Sequence, residues 1–389
     1  IYRGWQIAVH SGGCLTTAPK IEVTVHGVNS NEELDIPKAP PTGARVKVCY
    51  AGAYYSDVTE GQEKRHHGYQ GGTKTHSAST GLEVSGVIDS LGSGVENSNW
   101  QLGDRVIIYP DSGEDYMKEK YDKYIIVNNI ANLVQVPNNL RLDIASLLPT
   151  GGLKTYSAMI RAKPLILDKI NNRQETTNVL IVGAGGLGLW TLKMAEHLLD
   201  VDPCKLKLVI ADTSIEKLML AEKYGCFDVV HWHEALHEEL ILERTQNVCP
   251  EGVDVIIDFV CSPRTIKRAL KLLNKEGVLL VHIDGTTKYD FSFNLAKLSQ
   301  NEQSIMGVSR GSRQQLVELV DIIATGKVEP PTYSIFPVAE ANAVLDKFTL
   351  CKINSRAVFE ICPEEAPPAS NDQPPSNAGN KMFLLGPPS

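Results

Sequence analysis

The sequence contains little that suits a secreted, membrane-spanning or nucleic-acid-binding protein. Its 8 cysteines are scattered over 389 residues without a Cys-x-x-C pair, which argues against a disulfide framework and against a structural zinc lobe. No apolar run reaches the roughly 18 residues needed to cross a bilayer, and residues 1–10 do not read as a cleavable signal peptide. A net charge of −8 argues against nucleic acid or an anionic membrane as the main partner. We therefore expect a cytoplasmic protein with free thiols.

The sequence does contain a glycine-rich turn between an apolar run and a helical pattern. Residues 179–182 are continuously apolar, as in a strand buried on both faces of a parallel sheet. Three glycines then permit a tight turn, close approach of a pyrophosphate and close helix packing, while the free N–H groups of the helix favour phosphate. A purely structural turn is the alternative interpretation. The residues predicted to bind a dinucleotide here are Gly183, Gly185, Gly186, Leu187 and Gly188.

An acidic residue follows the next apolar run. Residues 207–211 are predicted to form the second strand, which ends at Asp212. This is slightly further along than the roughly 20 residues that usually separate such an acid from the glycines. A carboxylate at this place accepts hydrogen bonds from the ribose 2′-hydroxyl and repels a 2′-phosphate. The expected cofactor is therefore NAD(H) rather than NADP(H).

The chain changes its pattern along its length. Short strands separated by glycine turns, between residues 44 and 137, predict a β-rich and partly barrel-like domain. Strands and helices alternate from residue 179 onwards, which is typical of a doubly wound parallel sheet. The last segment is rich in Pro, Ser and Asn and is predicted to be disordered. The predicted domains are residues 1–150 with 326–362, residues 151–325, and a disordered tail at 363–389.

This organisation resembles the medium-chain dehydrogenase/reductase superfamily, which includes zinc alcohol dehydrogenases and zinc-free quinone reductases. Besides the glycine turn, the resemblance rests on three stretches: Gly86-Val-Ile-Asp-Ser-Leu-Gly-Ser-Gly-Val95, Gly103-Asp-Arg-Val106 and Gly252-Val-Asp-Val-Ile-Ile-Asp258. It covers roughly residues 6–361. It implies an α/β fold in which a Rossmann-type doubly wound parallel sheet is inserted in a β-rich GroES-like domain.

The resemblance also assigns ligand-binding residues. It implies that Asp212 and Lys217 hold the adenosine ribose and that Arg356 contacts the pyrophosphate. The places of the three catalytic zinc ligands, however, are occupied by Tyr54, Leu82 and Thr150. None of these replaces a thiolate, imidazole or carboxylate. We therefore predict no catalytic zinc and no structural zinc.

The reaction expected without a Lewis acid is hydride transfer from NADH to an activated C=C, a quinone or a carbonyl. Tyr54 and Ser56 are candidate proton donors, although Tyr54 could simply fill the space of the metal and Ser56 could stabilise a turn. Lys154 is a candidate for binding a substrate anion, with a surface salt bridge as the alternative. Glu83 is expected to be structural and to pair with an Arg or Lys.

A second hypothesis keeps the cofactor domain without catalysis. In that case the chain is a catalytically silent nucleotide-binding protein, used as a sensor or an assembly module. In either case a small molecule is the expected ligand, with neither nucleic acid nor membrane as a partner. The resemblance implies a homodimer or homotetramer, with the contact expected at residues 277–283 and the segment after them.

Overall fold

The computed structural model of the chain describes residues 36–53, 83–95, 97–110, 123–172, 175–282, 292–349, 353 and 356–363. The candidates Tyr54 and Ser56 lie outside these residues, as does Leu82. The predicted tail after residue 363 also lies outside them. The predictions for these positions therefore stay predictions.

The first sheet, sheet A, contains seven strands within the described residues and is mostly antiparallel. Its spatial order is β12-β13-β1-β2-β3-β5, and β4 pairs with β1. Strands from both ends of the described chain meet here, because β1 pairs with β13 near the C-terminus. The strands are β1 (Ala44–Ala53), β2 (Val84–Leu91), β3 (Arg105–Ile108), β4 (Tyr124–Val127), β5 (Leu133–Gln135), β12 (Tyr333–Pro337) and β13 (Arg356–Glu360).

The second sheet, sheet B, is entirely parallel, with six strands among the described residues in the order β11-β10-β9-β6-β7-β8. The chain starts in the middle with β6, runs outward to β8, and returns past β6 to β9, which is the Rossmann strand order. The predicted fold class is confirmed. The strands are β6 (Thr177–Val182), β7 (Leu206–Asp212), β8 (Asp228–His231), β9 (Val253–Asp258), β10 (Leu273–Val281) and β11 (Ser304–Gly307).

Helices cover both faces of sheet B because side chains alternate between the faces along each strand. Val179 packs in one apolar cluster with Met159 and Trp190, whereas Leu180 packs in another with Ile241 and Ile266. The helices are α1 (Leu142–Ala145), α2 (Leu153–Asn172), α3 (Gly186–Leu198), α4 (Ile215–Glu222), α5 (Glu238–Val248), α6 (Pro263–Leu272), α7 (Leu295–Gln300), α8 (Arg313–Ala324) and α9 (Ala341–Thr349). Of these helices, all within the described ranges, none is long and apolar enough to cross a bilayer.

The starts of two elements differ clearly from those that the apolar pattern predicts, which are a helix from Leu189 and a strand from Gly277. Helix α3 begins at Gly186 rather than at Leu189, because glycines without periodic apolar side chains still form its first turn. Strand β10 begins at Leu273, which pairs with Val253 of β9, rather than at Gly277. The two edges of β10 pair with β9 and β11, and the subunit contact expected at residues 277–283 and the segment after them stays a prediction. Strands β11 and β8 are the two edge strands of sheet B among the described residues.

Candidate active site

The candidate site lies at the carboxyl ends of the strands of sheet B. The strand order reverses between β6 and β9, and ligands of such sheets bind in the crevice outside that point. Gly183 follows β6, while Asp212 and Asp258 end β7 and β9. Parallel strands present all these ends at one edge of the sheet. The sequence-predicted glycines and Asp212 are therefore brought together.

The glycine turn, residues 183–188, has the backbone that a dinucleotide requires. Gly183 has φ of +103°, in the left-handed region that favours glycine. A Cβ on Gly188 would lie 2.0 Å from the Gly183 carbonyl oxygen, so only glycine lets α3 approach β6 this closely. A Cβ on Gly185 would meet no atom within 4 Å, so the space beside this backbone is open. The turn therefore fits a pyrophosphate, with half-buried Leu187 in the first turn of α3.

Asp212 is tied to the glycine turn by its carboxylate. One oxygen accepts the backbone N–H of Ala184 at 2.7 Å, and the other accepts the N–H of Ser214 at 2.9 Å. Each carboxylate oxygen has two acceptor positions, so both retain capacity for the hydroxyls of a ribose. Lys217 lies in the first turn of α4, which Ser214 caps by accepting the Lys217 backbone N–H. The orientation of the carboxylate is thus set by the same turn that would hold the phosphates.

A buried ion pair connects sheet A with the glycine turn. Glu83, fully buried, accepts the backbone N–H of Gly151 at 2.9 Å and pairs through its other oxygen with Nη2 of Arg356. The aliphatic stem of Arg356 lies against Gly186, where a Cβ would be 2.7 Å from its Cδ. The expected Arg or Lys partner of Glu83 is therefore Arg356. Its contact with a pyrophosphate stays a prediction, supported by the position of its stem beside the glycine turn.

The segment before α2 forms a π-helical turn, Leu148–Gly152, which we call the π-turn. It continues directly into α2 at Leu153. Thr150, at one of the zinc-ligand places, is 2% exposed, and so is Lys154 in the first turn of α2. Lys154 therefore does not lie at the surface, as a surface salt bridge would require, and its binding of a substrate anion stays a prediction. Isolated π-turns occur often at functional sites, and sequence periodicity does not distinguish them from an ordinary helix start.

Polar groups that sequence reasoning did not assign lie at the ends of β9 and β10. Asp258 accepts the N–H groups of Val260 and Cys261, both at 2.8 Å, and burial raises the pKa of its carboxyl. Cys261 has φ of +48°, and burial raises the pKa of its thiol to about 12, which disfavours the nucleophilic thiolate at neutral pH. His282 has its Nδ1 2.9 Å from the Val308 carbonyl oxygen. The sequence signal that could have identified these groups is a polar residue at the end of each buried strand or directly after it.

Metal-ligating side chains are not clustered in the described part of the chain. No group of three or more His, Cys, Asp or Glu side chains there could hold a metal ion. At the described ligand place, Thr150 offers a neutral hydroxyl, which does not fit a zinc site built from thiolate, imidazole and carboxylate.

Comparison with known families covers both sheets. The family model of the alcohol dehydrogenase GroES-like domain matches residues 40–161. The model of the zinc-binding dehydrogenase family matches residues 186–325. The first match covers β1–β5 of sheet A. The second match covers the chain around sheet B, from the first turn of α3 to the end of α8.

Individual relatives span nearly the whole chain. The NAD-dependent alcohol dehydrogenase of Sulfolobus acidocaldarius is 27% identical over 353 residues, covering 85% of this chain and 95% of that protein. The structure of the alcohol dehydrogenase from Aeropyrum pernix has a TM-score of 0.67 and 22% identity, covering 85% of this chain and 95% of that one. Acetophenone reductase from Geotrichum candidum, in complex with NAD, has a TM-score of 0.64 and 19% identity, covering 83% and 91%.

Proposed function

We propose that this chain, which belongs to the medium-chain dehydrogenase/reductase superfamily, is an NAD(H)-dependent oxidoreductase that works without zinc on a small carbonyl, quinone or activated C=C compound. The observation that carries the proposal is the glycine turn with its open face at Gly185 and its tie to Asp212. The left-handed Gly183 and the N–H groups at the start of α3 are the features with which such a turn binds a pyrophosphate.

The cofactor is NAD(H), in agreement with the sequence-based expectation and with the name of the S. acidocaldarius relative. When bound, NADH supplies a hydride, and the reaction converts C=O, NADH and a proton into CH–OH and NAD⁺. Asp212 would accept the ribose hydroxyls, and its negative charge would repel the 2′-phosphate of NADPH. The N–H groups at the start of α3 would bind the pyrophosphate, with Arg356 beside them supplying positive charge.

Zinc independence is supported by the side chains at the ligand places. A phenol, an alkyl group and a hydroxyl stand at Tyr54, Leu82 and Thr150, where a neutral and weakly coordinating set does not fit Zn²⁺. Without a metal the stabilisation of a developing oxyanion must come from hydrogen bonds and charge. This favours substrates whose product oxygen is enolate-like or phenolate-like. It also favours carbonyls whose oxygen is protonated early in the hydride transfer.

The positive charge for that role is available on α2. Lys154 is buried in the first turn of α2, where desolvation strengthens its field on any nearby anion. An ammonium group in this place can hold a substrate anion or donate a proton to oxygen. Tyr54 and Ser56 remain candidate donors from the sequence, and β1 ends at Ala53, directly before them. We assign the proton to one of these three side chains.

The test combines binding, turnover and metal analysis of the purified protein. NADH and NADPH affinity are measured by calorimetry, and NADH oxidation is followed with a panel of quinones, enones and aldehydes. We expect NADH to bind more tightly than NADPH, at least one acceptor to be reduced, and zinc to be far below one equivalent. Tight NADH binding without oxidation of any acceptor would instead support the catalytically silent protein. Activity that is lost with a chelator and restored by zinc would overturn the zinc-free mechanism.

A further inference from the structure

The hydroxyl of Thr150 is buried within the described structure without a hydrogen-bond partner. Its Oγ1 is inaccessible to solvent, and no described donor or acceptor lies within bonding distance. A buried hydroxyl in this state is unfavourable, and native proteins keep few of them. Such a group requires an explanation, of which an external ligand is one.

Other buried threonines in helices show what Thr150 does not do. Thr155, in the following turn, donates to the carbonyl oxygens of Gly151 and Gly152 at 2.9 and 2.8 Å. Thr191 and Thr245 each donate to the carbonyl four residues earlier, at 2.9 Å. This back-bonding is the ordinary solution for a helical threonine. The π-turn gives Thr150 no such bond, so its hydroxyl keeps its hydrogen-bonding capacity.

The position of Thr150 supplies an independent observation. The next residue, Gly151, donates its N–H to Glu83, and Glu83 pairs with Arg356, whose stem lies on Gly186 in the glycine turn. Thr150 is therefore one residue away from a chain of contacts that ends at the cofactor cradle. Lys154 follows four residues later, about one helical turn along, and is equally buried. Thr150 is thus adjacent in sequence to the contacts that connect the π-turn with the glycine turn.

We propose that the Thr150 hydroxyl donates a hydrogen bond to the substrate oxygen that gains negative charge as the hydride reaches carbon. This inference rests on the proposed function. The electron pair of the C=O bond moves onto oxygen, the hydroxyl stabilises that charge without transferring its own proton, and the proton comes from the group assigned above. A short hydroxyl at a ligand place thus takes over part of the charge stabilisation that a metal supplies elsewhere.

Two variants at this position and one control separate a substrate contact from a structural role. Thr150→Val removes the hydroxyl and keeps the shape, whereas Thr150→Ser keeps the hydroxyl. Thr177→Val is the matched control, because the Thr177 hydroxyl is also buried without a described partner but lies at the start of β6, away from the crevice. A structural role for Thr150 would lower the melting temperature of the valine variant. We expect no decrease for either valine variant, because neither loses a hydrogen bond.

The binding probe is isobutyramide, whose oxygen accepts a hydrogen bond but whose carbon does not accept hydride. We expect Thr150→Val with NADH bound to bind isobutyramide at least 10-fold more weakly than the wild type. Its kcat/KM with an acceptor should fall about 10²- to 10³-fold. Thr150→Ser and Thr177→Val should stay within about threefold of the wild type for both quantities, and NADH affinity should be unchanged in all.

The outcomes distinguish the inference from the function beneath it. Equal isobutyramide binding by the wild type and Thr150→Val, or no measurable binding by the wild type, overturns the role of Thr150. A lower melting temperature of Thr150→Val together with weaker NADH binding also overturns it. Hydroxyl-dependent isobutyramide binding without oxidation of NADH by any acceptor supports the role of Thr150 and contradicts the proposed turnover.

Discussion

The glycine turn and the π-turn border the same crevice, but they are built from different chemical groups. The glycine turn works through its backbone: Gly183, Gly185 and Gly188 contribute conformation and space, and Asp212 is held by backbone N–H groups. The π-turn works through buried side chains, with Glu83 paired to Arg356 across it. The comparison teaches that the glycine turn follows a general backbone pattern, whereas the surroundings of the π-turn depend on individual side chains.

The largest expected effect comes from breaking the buried Glu83–Arg356 pair beside the π-turn. Glu83→Gln leaves Arg356 buried against an amide instead of a carboxylate, and breaking a buried pair in this way costs about 3–5 kcal/mol. Denaturant unfolding of the cofactor-free protein measures the loss. The matched control is Asp89→Asn in the Arg45–Asp89 pair of sheet A, whose side chains are 18% and 26% exposed. There we expect about 1 kcal/mol or less. Equal losses in the two variants would remove the distinction between the pairs.

The glycine turn allows stability and binding to be separated within one motif. Gly188→Ala places a Cβ 2.0 Å from the Gly183 carbonyl oxygen and should cost about 3 kcal/mol through overpacking. Gly185→Ala meets no atom within 4 Å, so its stability should change by less than about 0.5 kcal/mol. The methyl group added by Gly185→Ala lies where the pyrophosphate is expected to bind, so NADH affinity should fall about 10-fold or more. Normal NADH binding by Gly185→Ala would show that the pyrophosphate lies elsewhere.

Asp212 should affect affinity and cofactor choice more than folding. Asp212→Asn loses the charge that accepts ribose hydroxyls, and hydrogen bonds to charged groups contribute about 1.5–3 kcal/mol. NADH affinity should therefore fall about 10- to 100-fold, while NADPH should be rejected less strongly than before. Calorimetry with both cofactors measures the ratio. Asp228→Asn, at the exposed start of β8, serves as the control and should change neither affinity. An unchanged NADH to NADPH ratio in Asp212→Asn would contradict the ribose contact.

The smallest effect concerns Asp258, which ends β9 and pairs with Val182 at the end of β6. Burial raises the pKa of this carboxyl above its value of about 3.9 in an unfolded chain. The folded state therefore binds more protons in the window above pH 4, and the contribution of Asp258 to stability falls as pH rises through the raised pKa. Asp258→Asn keeps an acceptor for Val260 and Cys261 without this charge. We expect the variant to gain about 1 kcal/mol over the wild type at neutral pH.

That pH dependence is checked by unfolding at several pH values. The difference between Asp258→Asn and the wild type should disappear at acidic pH, where the wild-type carboxyl is protonated in both states. Asp321→Asn, exposed on α8, should show no such pH-dependent difference. A difference that stayed constant from pH 4 to neutrality would mean that the charge on Asp258 is not the cause.

Sequence patterns were sufficient for much of the fold and for the cofactor side. Residues 179–182 and the glycines after them determined β6, the turn and α3, since periodicity and φ preferences are local properties. Sequence patterns did not predict the burial of Lys154, because a lysine near a helix start is usually exposed and its burial depends on tertiary packing. Nor did they predict that β10 is an internal strand, since strand order depends on contacts distant in the chain.

By itself, the sequence determined the parallel sheet, the glycine turn, the carboxylate at its second strand and the absence of metal-ligating side chains at the places that the resemblance assigns. These follow from residue types whose conformational and chemical preferences act over a few positions. Only the tertiary structure decided that Arg356 meets Glu83, that the stem of Arg356 lies against Gly186 in the glycine turn, and that the Thr150 hydroxyl is buried without a described partner. Those relationships join positions up to 273 residues apart, and only packing of the two sheets against each other brings them together.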